Sequence, residues 1–171
     1  MNANQSPPPS SSFRVGHGYD AHRLVAGRAL VVGGVAIDWH LGLDGHSDAD
    51  VLLHAICDAC LGAAGLGDLG EHFPSSQAQH QDADSRAIAR RVQRMLADAR
   101  WRVHNIDCTI VAQRPEMAPH IPRMRQRIAD DLAIAVEQVN VKATTTDGLG
   151  FCGREQGIAA HAVALLRRDD S

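Results

Sequence analysis

Residues 16–22 read Gly-His-Gly-Tyr-Asp-Ala-His, and residues 46–54 read His-Ser-Asp-Ala-Asp-Val-Leu-Leu-His. The first run predicts a strand that begins at Phe13, in which the two glycines allow another backbone to approach closely. The second run leads into a helix with apolar residues at helical spacing. Ser47 is expected to cap this helix, with Asp50 in a position close to that of a capping box. The strand and the helix are therefore the two elements around which the chain is organised.

Three side chains of these elements form a candidate metal site. Asp20 and His22 are two residues apart, so both lie on one face of the strand. His54 is expected about two turns into the helix, and two histidines with one carboxylate are a usual catalytic zinc set that leaves a fourth position open. Asp50 and Asp58 share the helix face of His54 and can act as hydrogen-bond partners of a ligand. The spacing alone is also compatible with ordinary polar residues at strand and helix ends.

Three further stretches have the composition of phosphate-binding segments. They are the glycine-rich run 65–70, the Thr-Thr-Thr-Asp run 144–147 and the Phe-Cys-Gly-Arg run 151–154. Threonine hydroxyls can bond phosphate oxygens, and the carboxylate that follows them can hold Mg²⁺ at a diphosphate. Taken singly, a threonine run also fits a strand, and Arg154 also fits ordinary surface charge.

The sequence has no nucleophile elbow, P-loop or dinucleotide fingerprint. Ser47 follows His46, but no third partner for a catalytic triad is evident. We therefore interpret His46 as a hydrogen-bond donor near the metal rather than as a base that activates a serine.

Composition limits the class of protein further. A chain of 171 residues with a net charge of −3 and 4% aromatic residues fits one globular domain and gives no sign of a nucleic-acid or membrane surface. Cys57 and Cys60 lie within an apolar helical pattern, so we expect buried thiols and a reducing, cytoplasmic location. Residues 1–12 are polar and rich in Pro and Ser, which predicts a disordered tail before a single domain at 13–168.

The remaining pattern predicts an α/β or α+β sandwich with helices on one side of a mixed sheet. A hairpin or a bulge is expected across Gly33-Gly34, and further helices at 85–100 and up to about residue 133. Strands are expected at 106–112, 139–145 and 158–166. Residues 39–45 and 71–84 are expected to be loops, and residues 101–105 a turn.

The chain resembles the 2-C-methyl-D-erythritol 2,4-cyclodiphosphate synthase family. The resemblance covers residues 13–167 and rests on GHGYDAHRL, HSDADVLLHAICDACLGAAGLGDLGEHFP, ADSR, AQRPEMAPHIPRMR and VNVKATTTDGLGFCGREQGIAAHAVALL, in this order. It implies a cytoplasmic bacterial enzyme of the non-mevalonate isoprenoid pathway, a homotrimer with active sites between subunits. The substrate implied is 4-diphosphocytidyl-2-C-methyl-D-erythritol 2-phosphate, whose 2-phosphate attacks the β-phosphate so that CMP leaves.

The resemblance also implies roles for individual residues. Asp20, His22 and His54 bind Zn²⁺, and Asp147 holds Mg²⁺ or Mn²⁺ at the diphosphate. His46 and Thr145 stabilise the transition state. The residues implied to contact substrate are Asp20, His22, His46, Ser47, Asp68, Leu69, Gly70, Phe73, Ala112, Pro115, Glu116, Met117, Ala118, Thr144, Thr145, Thr146, Asp147, Phe151 and Arg154.

Three residues depart from the family pattern. Asp147 stands where Glu is common, Glu116 where Lys is common, and Gln156 where Glu is common.

Two other functions fit the same metal set. One is a zinc-dependent phosphohydrolase with Asp68 as general base, and the other is a non-catalytic trimer that binds a metal or an isoprenoid.

Overall fold

The computed structural model describes residues 12–74 and 84–169, and a mixed sheet forms one layer of it. The strands are β1 (Phe13–Val25), β2 (Leu30–Val32), β3 (Val35–Ile37), β4 (Gly42–Leu43), β5 (Trp101–Val111), β6 (Val139–Thr144) and β7 (Gly157–Arg168). The five-stranded sheet has the order β4-β1-β7-β5-β6, in which β5 and β6 are parallel and the other neighbours antiparallel. Strands β2 and β3 form a separate hairpin, which is the first of the two alternatives that the Gly33-Gly34 pair indicated.

The helices form the second layer. They are α1 (Val51–Ala64), α2 (Leu69–His72), α3 (Ser85–Asp98), α4 (Ile121–Leu132) and α5 (Gly150–Gly153). The three long helices α1, α3 and α4 pack against the same face of the sheet, where Ile106, Cys108 and Ile110 of β5 are buried. This arrangement confirms the predicted mixed sheet with helices on one side.

Helix α1 packs unusually close to β1 because of two glycines. A Cβ atom on Gly16 would lie 2.0 Å from the carbonyl oxygen of Ala59, and one on Gly18 would lie 1.9 Å from that of Ala55. Both distances are far below van der Waals contact, and the atoms in the way belong to backbone. Only glycine therefore fits at these two positions, as the pattern of alternate glycines indicated.

The start of α1 is fixed by Asp50 and not by Ser47, so the predicted cap was wrong. The Asp50 carboxylate is fully buried and accepts hydrogen bonds from the amides of Leu52 and Leu53, at 3.1 and 3.0 Å. It also accepts from the amides of Gly33 and Gly34 in the β2–β3 turn, at 2.8 and 2.6 Å. One carboxylate thus caps the helix and attaches the hairpin to it.

Two segments expected to be irregular belong to the sheet. Residues 101–105 are not a turn but the first part of β5, because Trp101 is buried beneath the guanidinium groups of Arg14 and Arg168. The expected loop at 39–45 contains the short strand β4, which pairs with the end of β1. Of the expected loop at 71–84, residues 71–72 belong to α2, and residues 75–83 lie outside the described part of the chain.

Other predictions hold where the structure describes them. Strand β7 confirms the predicted strand at 158–166, and α1 ends at a left-handed Gly65, within the glycine run expected to stop it. Cys57 and Cys60 are buried free thiols, as expected. Of the predicted tail, residues 1–11 lie outside the described residues. None of the helices described here has the length and apolarity needed to cross a bilayer.

The face of the sheet away from the helices carries apolar side chains that the described chain leaves exposed. Val15 is 69% exposed, Phe13 49%, Tyr19 48% and Val163 41%. These residues alternate along β1 and β7 with the residues that face α1, as the period of a strand requires. They share this face with His17 and His161, whose ring nitrogens are 3.2 Å apart.

We expect Gly18→Ala to lower the free energy of unfolding by about 3 kcal/mol, the upper end of the usual cost of overpacking, because the added methyl group meets backbone. Gly62→Ala is the matched control in the same pair of elements. Gly62 lies in α1 with open space around its Cα, so alanine there raises stability by about 0.5–1 kcal/mol. Urea unfolding at one chain concentration measures both changes, and equal stabilities of the two variants would contradict the close-packing account.

Candidate metal centre

The three predicted metal ligands lie together between β1 and α1. Asp20 Oδ2 is 2.9 Å from His22 Nε2 and 3.0 Å from His54 Nδ1, and the two histidine nitrogens are 3.3 Å apart. Ligand atoms bound about 2.0–2.1 Å from a tetrahedral ion lie about 3.3–3.4 Å from each other. The triangle therefore needs to open by only a few tenths of an ångström, roughly, to hold such an ion.

The position of His54 differs from the expectation in one respect. It lies in the first turn of α1 rather than two turns into it, because the helix begins at Val51. Gly16, Gly18, Asp20 and His22 alternate along the face of β1 that α1 covers. The close approach at the glycines therefore continues along the strand and brings the first turn of α1 over Asp20 and His22.

Each histidine of the triad has one ring nitrogen turned to the carboxylate and the other bonded to protein. His22 Nδ1 lies 2.7 Å from the carbonyl oxygen of Asp44, to which it can only donate. Its Nε2 is therefore free to act as a ligand when the ring is neutral. His54 presents Nδ1 to Asp20 and places Nε2 3.0 Å from the hydroxyl of Ser85.

The electrostatics of the triad suit a cation. Burial alone would raise the pKa of Asp20, but hydrogen bonds and charge from His22 and His54 hold it well below its usual range. Burial alone would lower the pKa of His22, but Asp20 and the Asp44 carbonyl raise it above its ordinary value. Asp20 is thus ionised near neutral pH, and a bound cation would replace the proton that His22 takes up. Donor types, spacing and charge all fit Zn²⁺.

The expected carboxylate partners of the triad have other tasks. Asp50 is used entirely by the backbone amides described above. Asp58 accepts a hydrogen bond from the amide of Leu69 at 2.8 Å, which attaches α2 to α1, and burial raises the pKa of its carboxyl. The side chain that bonds His54 is Ser85, which sequence reasoning missed. Ser85 is 31 residues away from His54. In the sequence it stands at the start of a helix and within the ADSR motif, and neither signal indicates a contact with His54.

A cavity of about 300 Å³ opens beside the triad. It brings together the triad and five of the predicted substrate residues. Its lining is Asp20, His22, His46, Ser47, His54, Asp58, Leu69, Gly70, Phe73 and Ile88. Asp58 lies on the helix face that was expected to line a site, whereas Ile88 was not predicted. Asp68 caps α2 by accepting from the amide of Glu71. Phe73 is held by the guanidinium of Arg91, which lies 5.2 Å from its ring centre.

A second cavity of about 410 Å³ lies at the other edge of the sheet, beside the end of β6. It is lined by seven predicted residues, namely Ala112, Pro115, Glu116, Met117, Ala118, Thr144 and Thr145, together with Gln113, Arg114 and Ala143. The Thr145 hydroxyl donates to Asp147 at 3.2 Å, and the Gly148 amide donates to Gln113 at 3.3 Å. These bonds join the 144–148 loop to the 112–118 loop.

The two cavities are far apart within one chain. Strands β7 and β5 lie between β1 and β6, so three strand spacings of about 4.8 Å put the threonine loop roughly 14 Å from the triad. Phe151 lines a third cavity of about 670 Å³, which also contacts His22, and Arg154 donates to Gln156 at 3.4 Å. One chain therefore does not gather all predicted site residues into a single pocket.

Comparison with known proteins shows which family the chain belongs to. A sequence model of the YgbB family matches residues 13–167. A protein of Thiobacillus denitrificans named 2-C-methyl-D-erythritol 2,4-cyclodiphosphate synthase is 61% identical over 156 residues, which are 91% of this chain and 98% of that one. A Syntrophomonas wolfei protein of the same name is 63% identical, over 91% of this chain and 99% of its own.

Solved structures lead to the same family. The bifunctional IspDF of Campylobacter jejuni superposes with a TM-score of 0.89 at 38% identity, and the match covers 94% of this chain but 43% of the Campylobacter chain. IspF of Plasmodium falciparum, solved as a CDP complex, gives a TM-score of 0.82 at 29% identity over 94% of this chain and 100% of the other. The sequence resemblance is thereby confirmed, and the chain belongs to the YgbB family.

Proposed function

We propose that this chain converts 4-diphosphocytidyl-2-C-methyl-D-erythritol 2-phosphate to 2-C-methyl-D-erythritol 2,4-cyclodiphosphate and CMP, in the non-mevalonate isoprenoid pathway. The observation that carries the proposal is the Asp20–His22–His54 cluster at the wall of a cavity, in a chain that shares about 60% of its residues with curated synthases of that name. An enzyme that catalyses this reaction is a phosphorus–oxygen lyase.

The reaction needs no nucleophile from the protein. An oxygen of the 2-phosphate attacks the β-phosphorus, a new P–O bond closes the ring, and the bond to the CMP oxygen breaks with its electron pair on CMP. The task of the enzyme is then to fold the substrate so that the two phosphates meet and to neutralise their charge. This agrees with a cavity in which the histidine nitrogen nearest Ser47, His54 Nε2, lies closer to the hydroxyl of Ser85.

Two cations have candidate ligands. Asp20, His22 and His54 would hold Zn²⁺, and Asp147 would hold Mg²⁺ or Mn²⁺ at the diphosphate. When bound, such ions supply positive charge that polarises phosphate oxygens, with an effect of several kcal/mol on the barrier, roughly. His46, on the cavity wall, and the Thr145 hydroxyl would donate hydrogen bonds to oxygens whose charge grows in the transition state.

The apolar wall of the triad cavity has a separate task. Leu69, Phe73 and Ile88 are the apolar part of its lining. An apolar wall that excludes water strengthens the electrostatic contacts and leaves the substrate's own phosphate as the available nucleophile. It thereby favours ring closure over hydrolysis.

We propose further that the active enzyme is a homotrimer with each site shared between neighbours. Support comes from the roughly 14 Å between the triad and the threonine loop across the sheet, since two cations held that far apart in one chain could not both act on one diphosphate. The exposed Phe13, Val15, Tyr19 and Val163 provide an apolar face for such an assembly. Residues 13–168 are the proposed functional unit and the cytoplasm its location, the latter supported by four buried free thiols.

The reaction itself is the first test. Purified chain with zinc, magnesium and the CDP-linked substrate should release CMP and one cyclic diphosphate in equal amounts. The measurement is ³¹P NMR of the reaction mixture over time. His54→Ala should lose turnover by about 100-fold or more, because one ligand of a metal that lowers the barrier by several kcal/mol is removed. Release of CMP with an open-chain phosphate would identify a phosphohydrolase, and binding without any release would identify a non-catalytic trimer. Either result would overturn the proposal.

Asp147 tests the second cation separately from the first. We expect Asp147→Ala to lower turnover by about 100-fold, since the diphosphate loses its Lewis-acid contact. Zinc content should not change, because Asp147 is not one of the three zinc ligands. Asp147→Glu is the matched control and should keep most of the turnover. The test measures the zinc content and the turnover rate of each variant. Loss of zinc together with turnover in Asp147→Ala would refute the assignment of two separate cation sites.

Subunit mixing tests the shared site. His54→Ala and Asp147→Ala chains, each inactive alone, should regain about a quarter of the unsubstituted activity per site when co-assembled at random, because one half-site must come from each kind of chain. Native mass measurement verifies the mixed trimers. If mixed trimers form and stay inactive, the two halves of the site belong to one chain and the shared-site proposal is wrong.

A further inference from the structure

The Ser85 hydroxyl is buried against the metal centre although Ser85 was assigned no function. Ser85 is the first residue of α3 and is fully buried. Its Oγ lies 3.0 Å from His54 Nε2, the ring nitrogen on the side away from Asp20. The helix that brings it there packs against α1, so this contact joins two elements of the helical layer.

Asp48 fixes the direction of that contact. Its carboxylate accepts a hydrogen bond from the Ser85 hydroxyl and another from the Ser85 amide, the latter at 3.1 Å. A carboxylate only accepts hydrogen bonds, and a serine hydroxyl has a single proton to donate. Because that proton goes to Asp48, the Ser85 oxygen can only accept from His54. His54 must therefore carry a proton on Nε2 and donate it to Ser85.

The consequence reaches the metal ligand. A neutral imidazole with its proton on Nε2 has its lone pair on Nδ1, the nitrogen 3.0 Å from Asp20. We infer that Ser85 and Asp48 are positioning residues of the metal centre: the chain Asp48–Ser85–His54 holds His54 in the tautomer and orientation that leave Nδ1 free to bind the cation. This inference rests on the proposed use of the triad as a metal site.

His22 gives an internal comparison. Its outer nitrogen is fixed by one backbone carbonyl, that of Asp44, which is always an acceptor. His54 has a hydroxyl in the same place, and a hydroxyl can donate as well as accept. A second group is then needed to decide between the two directions, and Asp48 is that group. Ser47 Oγ is a poorer partner, since it lies 3.4 Å from Nε2 and already accepts from the Ala49 amide.

The test measures zinc affinity by chelator competition, without substrate. Ser85→Ala removes the acceptor, and Asp48→Asn can turn its amide toward Ser85 and reverse the direction of the hydrogen bond. Both variants should weaken zinc binding by about 10- to 100-fold, the usual effect of removing an outer hydrogen-bond partner of a ligand. The matched control is Asp84→Ala, which removes the cap of the same helix, on the Arg86 amide, without touching His54. Its zinc affinity should stay near that of the unsubstituted chain.

Nitrogen-15 NMR of the metal-free protein provides a readout that a general loosening of the helix would not reproduce. The unsubstituted chain should show His54 protonated on Nε2, and Asp48→Asn should shift protonation toward Nδ1. Unchanged zinc affinity in Ser85→Ala, an equal loss in Asp84→Ala, or a His54 Nε2 without a proton in the unsubstituted chain would each overturn the inference. None of these readouts uses turnover, so a failure of the proposed reaction would be seen separately.

Discussion

The close contact between α1 and β1 at Gly16 and Gly18 is the constraint on which the rest of the structure depends. Backbone meets backbone there, with no room for a single methyl group. A helix held at that distance can follow the strand in only one register. Asp20 and His22 lie on the same face of β1, two and four residues after Gly18. The first turn of α1 places His54 over them. Packing of the core and assembly of the metal centre are thus one event.

The metal centre is in turn surrounded by groups that fix its components from outside. Asp50 holds the beginning of α1 against the β2–β3 turn, the Asp44 carbonyl orients His22, and Ser85 of α3 contacts His54. Each of these contacts comes from a different part of the chain. The triad is therefore preorganised by the fold and does not depend on a single loop, as a site that must hold charged phosphates at fixed distances requires.

Much of this could be predicted from the sequence, and the reasons are local. Local spacing shows on which face of its strand or helix a residue lies. This holds for the alternate glycines, for the Asp and the His two residues apart, and for the histidine near the start of an apolar helix. The failures share a different cause. Asp50 replaced Ser47 as the cap because it also bonds a hairpin 16–17 residues away, and Trp101 joined a strand because two distant arginines cover it. Ser85 was missed because its role exists only once α3 has packed beside α1. Contacts between distant segments leave no local pattern in a single sequence.

The central claim is that the glycine-mediated approach of α1 to β1 creates a zinc site from Asp20, His22 and His54. Anomalous diffraction at the zinc absorption edge, from crystals of the unsubstituted chain grown with zinc, tests it most directly. The account predicts one strong anomalous peak within bonding distance of Asp20 Oδ2, His22 Nε2 and His54 Nδ1. A fully occupied zinc peak elsewhere with none between these three atoms would contradict it.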